Sequence, residues 1–195
     1  MRNKNEWALA LFYSGNAQKV KSVARNGEGI PQANSDLVVK AVRELLKVSN
    51  GGSRGAVAIV YDKLTDAQLK LLWKDIYQAT IESAPADIMF AAGVRTAGLK
   101  LLAKHHTREG LDAAAWYLTH GGRNDTSFTL KFILDQYGGH AKCVLPQLEK
   151  TAEHFAAGEN KKSKAKAQDV RATIKDIAAA PTPSWPMVSI AEYLK

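Results

Sequence analysis

The 195-residue chain has a single cysteine, Cys143, so no disulfide can close within it. No apolar run approaches the roughly 20 residues a helix needs to cross a bilayer. The apolar stretch nearest the start, WALALFY at 7–13, is short and has Glu6 at its edge, so no signal peptide is expected. A chain without disulfides suits the cytoplasm or the periplasm and does not choose between them. HExxH, a Cys/His zinc spacing, GxSxG, a Walker loop and the Rossmann glycine pattern are all missing. Zinc proteases, α/β-hydrolases, phosphate-loop ATPases and dinucleotide enzymes therefore lack their signatures, and neither a metal nor a cofactor is expected. A second strand-like run is missing too. VAIVY at 57–61 is rich in β-branched residues but has nothing to pair with, so it reads as helix. The neighbours of Cys143, which are Val144, Leu145 and Leu148, predict a small buried side chain there.

Helical periodicity is what the chain does have. On a 3.6-residue wheel, Ala91, Val94, Gly98, Leu101 and Leu102 share one face, with Thr96, Lys100 and Lys104 opposite. Thr107 is placed to cap a second helix, whose stripe is Leu111, Ala114, Ala115 and Leu118. Upstream, 6–13 reads as a short helix and 14–33 as a glycine-rich loop. Asn34, Ser35 and Asp36 offer caps to a helix with Val38, Ala41, Val42 and Leu45 inward and Lys40, Arg43 and Lys47 outward. A short helix over 53–64 follows. Thr65 and Gln68 then form a capping box for a helix burying Leu69, Leu72, Trp73, Ile76 and Thr80.

Downstream, Asp125 or Thr126 caps a helix that turns Leu130, Ile133, Leu134 and Tyr137 inward. From His140 to Ala157 the spacing predicts one helix with Val144, Leu145, Leu148, Ala152 and Phe155 on a face. Pro146 bends it, unless the helix starts late enough to hold the proline in its first turn. ENKKSKAK at 159–166 reads as an exposed basic turn before a last helix over 165–179, which buries Val170, Ile174 and Ile177. The tail at 181–195 holds three prolines together with Trp185, Met187, Val188, Ile190, Tyr193 and Leu194. So apolar a tail is expected to pack back on the helices.

A weak internal repeat emerges from comparing these helices. Val94-Arg95-x-x-Gly98-x-x-x-Leu102 and Val170-Arg171-x-x-Ile174-x-x-Ile177 share a register, and Val42-Arg43-x-x-Leu46 is a shorter copy. This resembles the HEAT-repeat family of α-solenoids, in which the second helix of a pair carries Val-Arg followed by small residues and leucines. Val144-Leu145-Pro146-Gln147-Leu148 is similar to the leucine-proline step of that family's first helix. The likeness covers 65–180 and, more loosely, 34–64; the family's usual acidic turn between helices is absent or altered. GVRTAGLKLLAKHHTREGL and QYGGHAKCVLPQLEK also resemble helical regions of large, poorly characterised bacterial proteins. The resemblance implies a structural role for Arg43, Arg95 and Arg171 as repeat arginines.

Two groups remain as candidates for chemistry. His105, His106, Glu109 and Asp112 form the one cluster of acid–base groups, although a helix-end position also suits His105 and His106 for capping and packing. Lys161, Lys162, Lys164 and Lys166 are a candidate anion-binding set, without the interleaved aromatics that stack bases. A net charge of +8 permits attraction to nucleic acid, anionic lipid or acidic polysaccharide. The expected fold is all-α: a right-handed superhelix of antiparallel helix hairpins in one domain, with an N-terminal helix and loop (1–33), hairpins (34–180) and a packed tail (181–195). The expected function is a non-catalytic scaffold that binds a protein or another domain of a longer parent chain, with no membrane span. The alternatives are a nucleic-acid-binding or nucleic-acid-processing protein with a basic groove, as in HEAT-like DNA glycosylases, or an accessory domain of a larger bacterial carbohydrate-active protein. Both rest on analogy of fold.

Overall fold

The computed structural model describes residues 35–47, 61, 64–81, 91–120 and 126–193. The expectations for 1–34, for 53–60 and 62–63 of the helix expected over 53–64, and for Asp125 lie outside the described residues; of that helix Tyr61 is 3-10 and Leu64 a bend. All regular elements among the described residues are helical. They are α1 (Ser35–Lys47), α2 (Asp66–Ile81), α3 (Ala91–Lys104), α4 (Arg108–His120), α5 (Thr126–Tyr137), a 3-10 helix (Gly138–Val144), α6 (Leu145–Ala156), α7 (Lys161–Ala179) and α8 (Ile190–Tyr193). Contacts group the chain into two compact units, Met1–Leu101 with Ile190–Lys195, and Leu102–Ser189.

In the first unit α1 packs on α2, and α8 lies against α2. Val38, Val42 and Leu46 of α1 are buried, as are Leu69, Leu72, Trp73, Ile76 and Thr80 of α2. Each large apolar side chain removed from water stabilises the unit by about 1.5–3 kcal/mol before entropy is counted. The capping box of α2 is reciprocal: the Gln68 amide N–H donates to Thr65 Oγ1 at 3.3 Å, and the Thr65 N–H donates to Gln68 Oε1 at 3.0 Å. Gln68 is fully buried and its Nε2 has no hydrogen-bond partner among the described residues. Arg43 ties the two helices together, donating from Nε to Asp75 Oδ2 at 2.9 Å and from Nη2 to the Leu71 carbonyl at 2.7 Å.

In α3 the expected faces hold, with Val94, Leu101 and Leu102 buried and Lys100 and Lys104 exposed. The buried arc is wider than the wheel predicted, because Arg95 and Leu99 join it. Gly98 stands where the backbone of α3 comes close to α2: a Cβ there would overlap Thr80 Oγ1 and lie 3.0 Å from Thr80 Cβ.

The second unit is built on α6 and α7, which pack together, with α5 and the 3-10 helix against them. Three expectations change here. No single helix spans 140–157; a 3-10 segment comes first and α6 begins at Leu145, so of the two placements expected for Pro146 it takes the one in the first turn of a late-starting helix. A proline costs no intrahelical hydrogen bond at that position, which is why the helix starts there. The 3-10 spacing of three residues per turn turns Ala141 and Val144 inward and leaves Cys143 exposed, contrary to the buried thiol expected. Lastly, α7 begins at Lys161 rather than near Ala165, because Asn160 caps it by accepting from the Ser163 N–H at 2.8 Å. The basic stretch is therefore helix, not turn.

Replacing Gly98 by Ala should destabilise the chain by about 1–3 kcal/mol through overpacking. Thr80→Ala should recover part of that loss. Urea unfolding of the two single variants and the double variant checks this; strictly additive losses would show that the two positions do not meet.

Candidate functional site

The acid–base cluster sits where α3 ends and α4 begins. The Thr107 N–H donates to the Leu102 carbonyl at 3.0 Å, and the His106 N–H donates to the Ala103 carbonyl at 2.8 Å. Those two bonds are the paired closure of a helix whose next residue turns left-handed, a place glycine usually takes. Here it is His106, at φ 55°, and a side chain in that region costs about 1–2 kcal/mol. The imidazole stacks on Trp185 with centroids 3.9 Å apart and planes 13° from parallel. Such a ring pair is worth about 0.5–1.5 kcal/mol beyond its burial, enough to offset much of the backbone cost.

Trp185 belongs to the segment 181–189, which lies across this unit as a strap. Its carbonyl accepts from His140 Nε2 at 2.8 Å, which requires the proton on that nitrogen, and the His140 ring tilts over the indole at 4.5 Å. Backbone bonds fasten the strap at both ends. Gly139 N–H donates to Pro181 O (2.9 Å), Arg108 N–H to Val188 O (2.9 Å) and Val188 N–H to His106 O (3.1 Å). A Cβ on Gly139 would come within 2.6 Å of Thr182 N, so only glycine allows this approach.

The remaining members of the cluster are engaged as well. Ser189 Oγ donates to Glu109 Oε1 at 2.6 Å, and Arg108 Nε donates to Asp112 Oδ1 at 2.9 Å. The Arg108 guanidinium is held above its usual range, mainly by that bond. His105 is half-buried and has an interaction of its own. Partial burial of the sulfur raises the Cys143 thiol, with Arg108 pulling the other way, and its Sγ lies 3.1 Å from the His140 carbonyl. Among the described residues no three His, Cys, Asp or Glu side chains stand together in a way that could hold a metal ion. The sequence reading missed Trp185, His140, Tyr137 and Ser189 as partners of this cluster. The three prolines around the tryptophan were the available signal, since they hold a segment extended.

The basic candidates lie on α7. Lys161, Lys162 and Lys164 are exposed, whereas Lys166 leans over the Phe155 ring with Nζ 5.1 Å from its centroid. Cations in a first turn oppose the helix dipole at about 0.3–1 kcal/mol each. The like-charge spacings Lys161/Lys164, Lys162/Lys166 and Arg171/Lys175 add a few tenths each. Of the repeat arginines, Arg95 is 5% exposed, Arg43 is half-buried in its bond to Asp75, and Arg171 is exposed. They do not share an environment. No protein-family model, curated protein or solved structure matches the chain.

Tyr137 supplies a test of the burial beneath the strap. It is fully buried, donates from its hydroxyl to the Thr107 carbonyl at 3.2 Å, and meets Trp185 edge-on. Burial pushes its phenol well above the usual range, and the Asp112 and Glu109 carboxylates add to the rise. A phenol raised in the folded state stabilises fully below the unfolded value near 10, and that contribution is lost as pH climbs toward the folded value. Tyr137→Phe should therefore cost about 1 kcal/mol at pH 7, and the gap from wild type should close or reverse by about pH 11. Urea unfolding of both proteins at the two pH values measures it; a gap unchanged between them would contradict the assignment.

Proposed function

We propose that the chain is a non-catalytic helical scaffold that holds another macromolecule, a second protein or a neighbouring domain of a longer parent chain, on its helix faces. The observation that carries this reading is the use made of the acid–base groups. Glu109 takes the Ser189 hydroxyl, Asp112 takes Arg108, and His106 and His140 hold Trp185. An enzyme acting from this cluster would need the same groups to meet a substrate.

The helices are read as hairpins of a right-handed HEAT-like stack. The two register copies agree in the burial of Val94 and Val170, whereas Leu102 of the first copy falls at the position of exposed Ala178 in the second. The arginines beside them do not repeat, so the support comes from packing and not from a shared ion pair.

The test is whether the chain travels in a complex and whether that depends on acid–base groups. Size fractionation of a native lysate should place it well above its own 21.2 kDa. A Glu109→Gln/Asp112→Asn variant should migrate with it once matched for folded protein. Migration as a free monomer would contradict the scaffold, as would a folded variant that leaves the complex.

A further inference from the structure

The exposed surface of α7 divides by charge. Lys161, Lys164, Gln168, Arg171 and Lys175 follow the i, i+3, i+7, i+10, i+14 spacing that keeps side chains in line along one flank of a helix. All five are exposed. Both aspartates of the helix, Asp169 and Asp176, fall on the other flank with Lys162, while Ala167, Val170 and Ile177 face the unit's interior. None of the four ridge cations forms an ion pair among the described residues. The ridge is thus a straight, single-sign row about 21 Å long at 1.5 Å per residue.

We propose that this ridge binds the phosphate backbone of double-stranded nucleic acid; the inference goes beyond the scaffold reading and adds a second class of partner. A 21 Å row runs beside about six base pairs at roughly 3.4 Å per phosphate along each strand. Ala165, Ala172 and Gln168 beside the cations leave room for a backbone to approach closely. A single strand would want aromatic side chains for its bases, and α7 has none. A lipid surface would want large apolar side chains beside the cations, and the exposed positions of α7 offer only alanine. The charge arrangement that burdens α7 in isolation becomes favourable against a row of phosphates.

Fluorescence anisotropy of the full chain with a 20-base-pair DNA duplex tests the proposal. With four ridge cations on phosphates, affinity should fall on the order of 100-fold between 50 and 200 mM salt, from a slope of about −0.9 per contact. Lys164→Glu/Arg171→Glu should weaken binding, reduce that salt response to about tenfold, and melt at or above the wild-type temperature. A control of equal charge change, Lys131→Glu/Lys150→Glu on exposed positions of α5 and α6, should keep the wild-type slope. Equal losses in both variants would overturn the ridge. So would a ridge that takes poly-glutamate or phosphatidylserine vesicles and ignores the duplex. A denaturing gel separates the two readings. Ridge-dependent binding with strand cleavage would keep the ridge and remove the non-catalytic scaffold. No duplex binding, with the native complex intact, would remove the ridge alone.

Discussion

The second unit depends on how Thr107 satisfies every polar group it has while fully buried. Its N–H and Oγ1 both donate to the Leu102 carbonyl, which closes α3; Oγ1 also accepts from the Gly110 N–H at 3.2 Å, which opens α4. Its carbonyl receives the Tyr137 hydroxyl, and it lies opposite Val188 of the strap in an isolated bridge whose hydrogen bonds come from its neighbours His106 and Arg108. One residue therefore ends a helix, starts the next and anchors the aromatic beneath, while the residues on either side of it seat the segment above. An unmade bond at such a site would cost about 1–3 kcal/mol, so the turn has one acceptable geometry. The same turn forces His106 left-handed, and this sets the imidazole against Trp185.

Around that turn the acid–base groups are engaged in contacts within the fold. Glu109 and Asp112 lie in the first turns of α4, where carboxylates suit the dipole, and Ser189 and Arg108 reach them from the strap end and the helix start. The lysines of α7 follow the opposite logic. Lys161, Lys162 and Lys164 stand exposed against the dipole and beside one another, whereas Lys166 packs over Phe155. A chain whose local choices otherwise agree with its fold departs from that rule where another demand is met. On α7 the proposed duplex contact is such a demand.

Much of the fold was legible because local chemistry and burial agreed. Thr65 with Gln68, and Thr107 before Leu111, are caps whose residue types and spacing suffice to place a helix start. The stripe of α2 was readable because Leu69, Leu72, Trp73, Ile76 and Thr80 keep one period. The period itself failed between Gly138 and Val144, where a 3-10 segment turned Cys143 outward. Asn160 was overlooked as a cap because the lysines after it looked like loop, although its side chain fixes where α7 begins. The polar cluster was visible as a group of residue types, but its role was not. His106 and Trp185 stand 79 positions apart in the chain, and no local pattern links them.

Hydrogen exchange on a Trp185→Ala variant tests the strap most directly. If Trp185, His106 and His140 hold it down, the amides of Arg108, Gly139 and Val188 should exchange faster together by about tenfold or more, as expected for an opening made easier by at least 1.4 kcal/mol. The amides of α6 and α7 should keep their wild-type rates. Unchanged protection at those three amides would contradict the account, because the strap would then be held by something other than its stacked rings.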